Sequence, residues 1–148
     1  MKTIIQAKTH LRENFEEGSD CPCCGQLVKL YKIKFNSNMA IFLISLVNTY
    51  LKERKPVHFK DCVFGSRNYP YIAKWNLAYT EKSEDTAKRT SGFWIPTKKG
   101  VDFVLNKVKV SEYKNIFNNK VLGSSLNEIN IKDALGTKFN YEELMNNQ

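Results

Sequence analysis

The chain has 148 residues, 42% of them hydrophobic and 12% aromatic, with a formal net charge of +8 and a pI near 9.3. This is enough apolar material for a domain-sized core, and the longest apolar run, residues 39–47, is far too short for a membrane span. The basic balance favours polyanions, nucleic acid first, although an Asn-, Lys- and Ile-rich composition from AT-biased coding supplies part of that charge.

In chain order, Thr3-Ile4-Ile5-Gln6 reads as a capping box that opens a helix over residues 4–16. Ile4, Leu11 and Phe15 share a face of it, and Gly18 stops it. The helix delivers the chain into Cys21-Pro22-Cys23-Cys24-Gly25. Cys21 and Cys24 have the spacing of a zinc half-site, with Pro22 and Gly25 shaping a tight turn. His58 and Cys62, four apart, offer the second half. Cys21, Cys24, His58 and Cys62 would close a tetrahedral shell around Zn2+, so the expected ion is structural; catalytic zinc keeps a position open. Cys23 could replace Cys21 or Cys24, and His10 could replace His58. Disulfides fit less well: vicinal Cys23 and Cys24 pair poorly, and no export signal is visible, which leads to the expectation of a cytoplasmic protein.

Residues 27–35 alternate, with Tyr31, Ile33 and Phe35 against Lys32 and Lys34, as in a half-buried strand. Lys29, Lys32 and Lys34 form a basic stripe, read here as a solubilised strand edge in preference to a backbone-tracking surface. Asn36-Ser37-Asn38 breaks the strand and offers an N-cap. A core helix over residues 39–52 follows, with Met39, Phe42, Leu43, Leu46, Tyr50 and Leu51 inward. Beyond Pro56, Val57-His58-Phe59 reads as a short strand, residues 60–64 as a helical turn, and Gly65-Ser66 as a turn. Residues 67–75 read as a second helix. Strands over 75–81 and 92–95 enclose a polar stretch, 82–91. Thr97 caps a further helix that carries Val101, Val104, Leu105 and Val108.

A polar-tipped hairpin between two helices is a wing. The helix ending in Trp75-Asn76-Leu77-Ala78, the wing from Tyr79 to Ile95, and the Pro96-Thr97-Lys98-Lys99-Gly100 entry into the next helix resemble the winged-helix family over residues 39–108. Bacterial members often have a similar Leu-Thr-x-x-Gly step there. The departure is a very short helix before the reader, which zinc held by His58 and Cys62 would staple. A CPxCG knuckle ahead of such a core is also similar to small phage proteins, a likeness that brings no activity with it. The expected fold is α+β, with an N-terminal helix and knuckle (1–37), a winged-helix domain (38–109) and a small β-rich appendage packed on it (110–148). In the appendage, residues 116–123 read as a hairpin turning at Asn118-Asn119. Ile129 and Ile131 suggest a strand, and Asn140 caps a short last helix.

The resemblance implies double-stranded DNA as partner and a role as a phage or bacterial transcription regulator or accessory factor. Arg67, Asn68, Tyr69, Tyr71 and Lys74 would face a major groove, and Lys82, Lys88 and Arg89 would anchor the wing. Glu81, Glu84 and Asp85 on the same wing oppose phosphate. The alternative is a non-enzymatic module that binds host or phage machinery. No enzyme is expected: there are two histidines and no nucleophile elbow, phosphate-cradling glycine loop or HExxH pattern. No membrane partner is expected, and the sequence fixes no oligomeric state.

Overall fold

The computed structural model describes residues 3–63, 67–82, 90–117 and 120–146, of which 82, 90 and 91 by backbone only. Helix α1 (Ile4–Glu13) precedes strands β1 (Ser19–Asp20), β2 (Leu27–Val28) and β3 (Tyr31–Lys34). Helix α2 (Ser37–Glu53) leads to β4 (Val57–His58), a 3₁₀ turn (Phe59–Asp61), a longer 3₁₀ helix (Tyr69–Trp75), β5 (Ala78–Lys82) and β6 (Thr90–Pro96). Then come α3 (Lys98–Val104), β7 (Val110–Ser111), β8 (Tyr113–Phe117), β9 (Lys120–Ser124), β10 (Glu128–Ile129), α4 (Ile131–Leu135) and α5 (Tyr141–Asn146). The class is α+β, as expected. The chain divides into a smaller unit, Met1–Lys34 with Tyr113–Ser124, and a larger one, Phe35–Glu112 with Ser125–Gln148. The stretch 110–148, read from sequence as one appendage, is thus shared between them.

In the smaller unit, Thr3 and Gln6 form the expected capping box, but α1 ends at Glu13 with Asn14 as its cap. Ala7 is its buried residue, while Ile4 and Ile5 are 69% and 78% exposed. Leu11 and Phe15 are half-buried, and Phe15 meets Phe117 edge-on at 5.0 Å. The sheet has the antiparallel order β3-β8-β9, so the hairpin expected around residues 116–123 exists and its other partner is β3. The turn at Asn118-Asn119 lies outside the described residues.

The larger unit is built around α2. Asn36 caps it by accepting the Met39 N–H at 3.0 Å, and Met39 to Ile44, Leu46 and Val47 are all buried. A helix apolar on every side must be covered on every side. The antiparallel sheet β4-β6-β5 packs on it through β4 and β6, whose Val57 and Trp94 are buried, and Trp94 meets Phe42 edge-on at 5.6 Å. Phe35 stands edge-on to both Trp75 and Phe103, and the Trp75 indole N–H donates to the Ser111 carbonyl at 2.8 Å. Thr97 caps α3, its Oγ1 accepting the Gly100 N–H at 3.0 Å. The strand expected at Ile129 and Ile131 is cut short. Asn130 and Asp133 form a capping box, so Ile131 opens α4 instead. Asn140 caps α5, accepting the Glu143 N–H. The last two helices are tied to the core by Asn48 donating to the Leu144 carbonyl and Tyr141 to that of Val104. Among the described residues no helix is long and apolar enough to cross a membrane.

Candidate metal knuckle and nucleic-acid surface

The knuckle sits on a two-stranded ladder, Ser19 opposite Val28 and Asp20 opposite Leu27. Cys21 N–H donates to the Gln26 carbonyl at 2.7 Å, and Gly25 N–H returns to the Cys21 carbonyl at 2.8 Å. This closes the turn, and Gly25, at φ +75°, supplies the left-handed residue it requires. Cys21 is half-buried, and Cys23 and Cys24 are exposed. The backbone N–H of Cys23, then that of Cys24, hydrogen-bond the Cys21 sulfur and hold its pKa below the ordinary thiol value. Donors converging on sulfur favour the thiolate, the form that binds metal. The knuckle therefore fits a thiolate half-site.

His58 and Cys62 belong to the larger unit and have partners within it. His58 Nδ1 accepts the Lys60 N–H at 3.2 Å and so caps the short 3₁₀ turn. With Nδ1 accepting, the neutral ring carries its proton on Nε2, the reverse of the usual metal-bound arrangement, where the second nitrogen donates. The ring stacks on Phe59 at 4.7 Å and meets Phe93 edge-on at 5.0 Å. Gly92, at φ +82°, leaves room for it: a Cβ there would lie 2.9 Å from His58 Nε2. Cys62 is buried, its sulfur 3.9 Å from the His58 carbonyl. Burial first, then Asp61, pushes its thiol up to about 12. His10, the alternative nitrogen ligand, is half-buried on α1. Among the described residues, no three His, Cys, Asp or Glu side chains gather as a metal cage.

The expected reading helix over residues 67–75 is a 3₁₀ helix. Its three-residue period puts Tyr69, Ile72 and Trp75 on one inward line. Ile72 and Trp75 are buried, and the Tyr69 ring lies 4.4 Å from that of Phe42, nearly parallel to it. Burial, then Cys62, raises the Tyr69 pKa. Tyr69, expected at a groove, is thus part of the core packing. Asn68, Tyr71 and Lys74 fall on a second line, half-buried, and Arg67 is exposed beside them. The signal for this row was the apolar triplet at positions 69, 72 and 75, which a helical 3.6 period hides. Lys82 ends β5 opposite Thr90. Lys88, Arg89, Glu84 and Asp85 lie outside the described residues.

On the outer face of the sheet, His58 stands opposite Phe93 and Tyr79 opposite Ile95. Tyr79 is 51% and Phe93 39% exposed. Sequence reasoning weighed this hairpin for its charged residues, basic and acidic, and did not anticipate its aromatic face. No protein-family model matches the chain, and no curated protein or solved structure is significantly similar to it.

Proposed function

We propose that the protein is a winged-helix protein that binds double-stranded DNA and is stabilised by zinc at its cysteine knuckle. The observation that carries the DNA reading is the strand order β4-β6-β5, with α2 before it and α3 after it. The strand ahead of the reader pairs with the strand that returns from the wing, and the Asn68, Tyr71 and Lys74 row comes between the two along the chain. Arg67 beside that row, and Lys82, Lys88 and Arg89 on the wing, supply phosphate contacts, in keeping with the net charge of +8.

The zinc reading rests on the knuckle and on the thin core around it. Ala7 and Ile116 are the fully buried apolar residues of the smaller unit among those described. Units this small usually need a metal or disulfide to fold. Cys21 and Cys24, with Cys23 beside them, supply the thiolates; His58 and Cys62 complete the shell on sequence spacing alone. Bound zinc would add folding free energy there and no chemistry. Elemental analysis is expected to find one zinc per chain, lost in Cys21→Ser. A metal-free protein whose melting is indifferent to EDTA would end this reading. Retention of zinc in His58→Ala and Cys62→Ala would assign the remaining ligands elsewhere.

Fluorescence anisotropy with random-sequence duplex across a salt series tests the DNA reading. Binding should weaken steeply with salt, and Lys88→Glu with Arg89→Glu should reduce the log–log slope by about 2. The alternative, a cytoplasmic adaptor for a protein partner, is favoured by the exposed Tyr79 and Phe93 and by the 3₁₀ reader, tighter than a groove-reading α-helix. Absence of duplex binding at low salt would make it the leading reading.

A further inference from the structure

Among the described residues, strand β3 has one neighbour, β8, and so forms an edge of the three-stranded sheet in the smaller unit. One or two lysines commonly blunt such an edge. Here the pattern goes further. Strands β3, β8 and β9 carry Lys32, Lys34, Lys114 and Lys120, and none of their described residues is acidic. A merely solubilising surface mixes both signs.

The charges on this edge lie against rings. Lys29 Nζ lies 5.4 Å from the centroid of Tyr31, and Lys32 Nζ lies 4.3 Å from that of Tyr113. A ring orients a cation without neutralising it, so the charge stays available to a second anion. Tyr31 itself is 49% exposed. The register sets Lys32 opposite Asn115 and Lys34 opposite Tyr113, on one face, while Tyr31 opposite Ile116 lies on the other. The edge therefore presents exposed positive charge on one side and an accessible ring on the other. Lys32 and Lys34 are about 6.7 Å apart along the strand.

We propose that this β3 edge binds single-stranded nucleic acid, with Lys29, Lys32 and Lys34 on its phosphates and Tyr31 stacked on an unpaired base. A duplex buries its base faces and has no use for the ring. A protein strand pairing to the edge would have to approach three ammonium groups. Basic tracks with interleaved rings are how sequence-tolerant single-strand binders work.

The test is fluorescence anisotropy of the full-length protein with a labelled 15-nucleotide oligothymidylate, across a salt series. Lys32→Ala with Lys34→Ala should lower the log–log salt slope by about 1.4, at 0.7 per phosphate lost. Tyr31→Ala should weaken binding roughly tenfold or more, and Tyr31→Phe should restore it. Both sites are exposed, so melting temperatures should hold. Lys88→Glu with Arg89→Glu should weaken duplex binding and spare the oligonucleotide, which separates this site from the duplex-binding reading. No oligonucleotide binding at low salt, or equal affinity in Tyr31→Ala and wild type, would overturn the proposal. So would equal losses in Tyr31→Ala and Tyr31→Phe.

Discussion

Gly100 shows how much a single residue can carry. A Cβ built on it would lie 1.9 Å from the Leu77 carbonyl oxygen, which itself accepts the Thr97 N–H at 3.0 Å. The Thr-x-x-Gly spacing is therefore two requirements at once: a hydroxyl to cap α3, and a bare Cα where the helix touches the chain entering β5. Gly100→Ala should cost about 3 kcal/mol by overpacking and lower the melting temperature by roughly 6–12 °C. An unchanged melting curve would mean that the contact relaxes freely. Cys62 makes a second residue-scale case. Its folded pKa is raised, so its contribution to stability is intact below the unfolded thiol's value and is lost as pH rises from about 9 towards about 12. After chelation at pH 8, iodoacetamide should modify Cys21, Cys23 and Cys24 and leave Cys62 unmodified until the protein unfolds; mass spectrometry reads this directly.

At the scale of elements, apolar periodicity and capping chemistry were legible and packing was not. Helix α2 could be read because its apolar run is long and Asn36 precedes it. The Thr3, Thr97 and Asn140 caps were legible for the same reason: a side-chain oxygen in the right place has one local use. The 3₁₀ helix was not, because Tyr69-Pro70-Tyr71-Ile72 suits an α-helix equally well, and the contacts of Tyr69 with Phe42 and Trp94 are long-range in sequence. Asn130 was missed because alternation of Ile129 and Ile131 imitates a strand. The row and the inward line of the 3₁₀ helix should separate experimentally. Ile72→Ala should destabilise by about 2–5 kcal/mol in denaturant titration. Tyr71→Ala with Lys74→Ala should leave stability within about 1 kcal/mol and weaken duplex binding. If both pairs of properties move together, the two faces are not distinct.

For the whole molecule, the knuckle's shape was legible in CPxCG, whereas the grouping of residues 113–124 with the N-terminal segment was not. The chain passes between units at Lys34–Phe35, Glu112–Tyr113 and Ser124–Ser125; the boundaries read from sequence at 37/38 and 109/110 lie near the first two, and no sequence signal marks the return at the third. Because the smaller unit buries so little, metal removal should act on it selectively. Hydrogen exchange after chelation should rise in residues 19–34 and 113–117 while amides of α2 stay protected. Uniform loss of protection would mean that the two units unfold as one.

The chain leaves the larger unit after Glu112 and returns to it at Ser125. There Glu112 N–H donates to the Asn127 carbonyl at 3.0 Å, the Asn127 side chain hydrogen-bonds the Glu112 carboxylate, and Ser111 pairs with Glu128. Two chain ends held that close by their own bonds make a splice point. The bonds that close it lie within the larger unit, whereas β3 depends on the excursion, Tyr113–Ser124, for its sheet partner. A chain that begins at Phe35 and joins Glu112 to Ser125 through a short glycine bridge would be the larger unit alone.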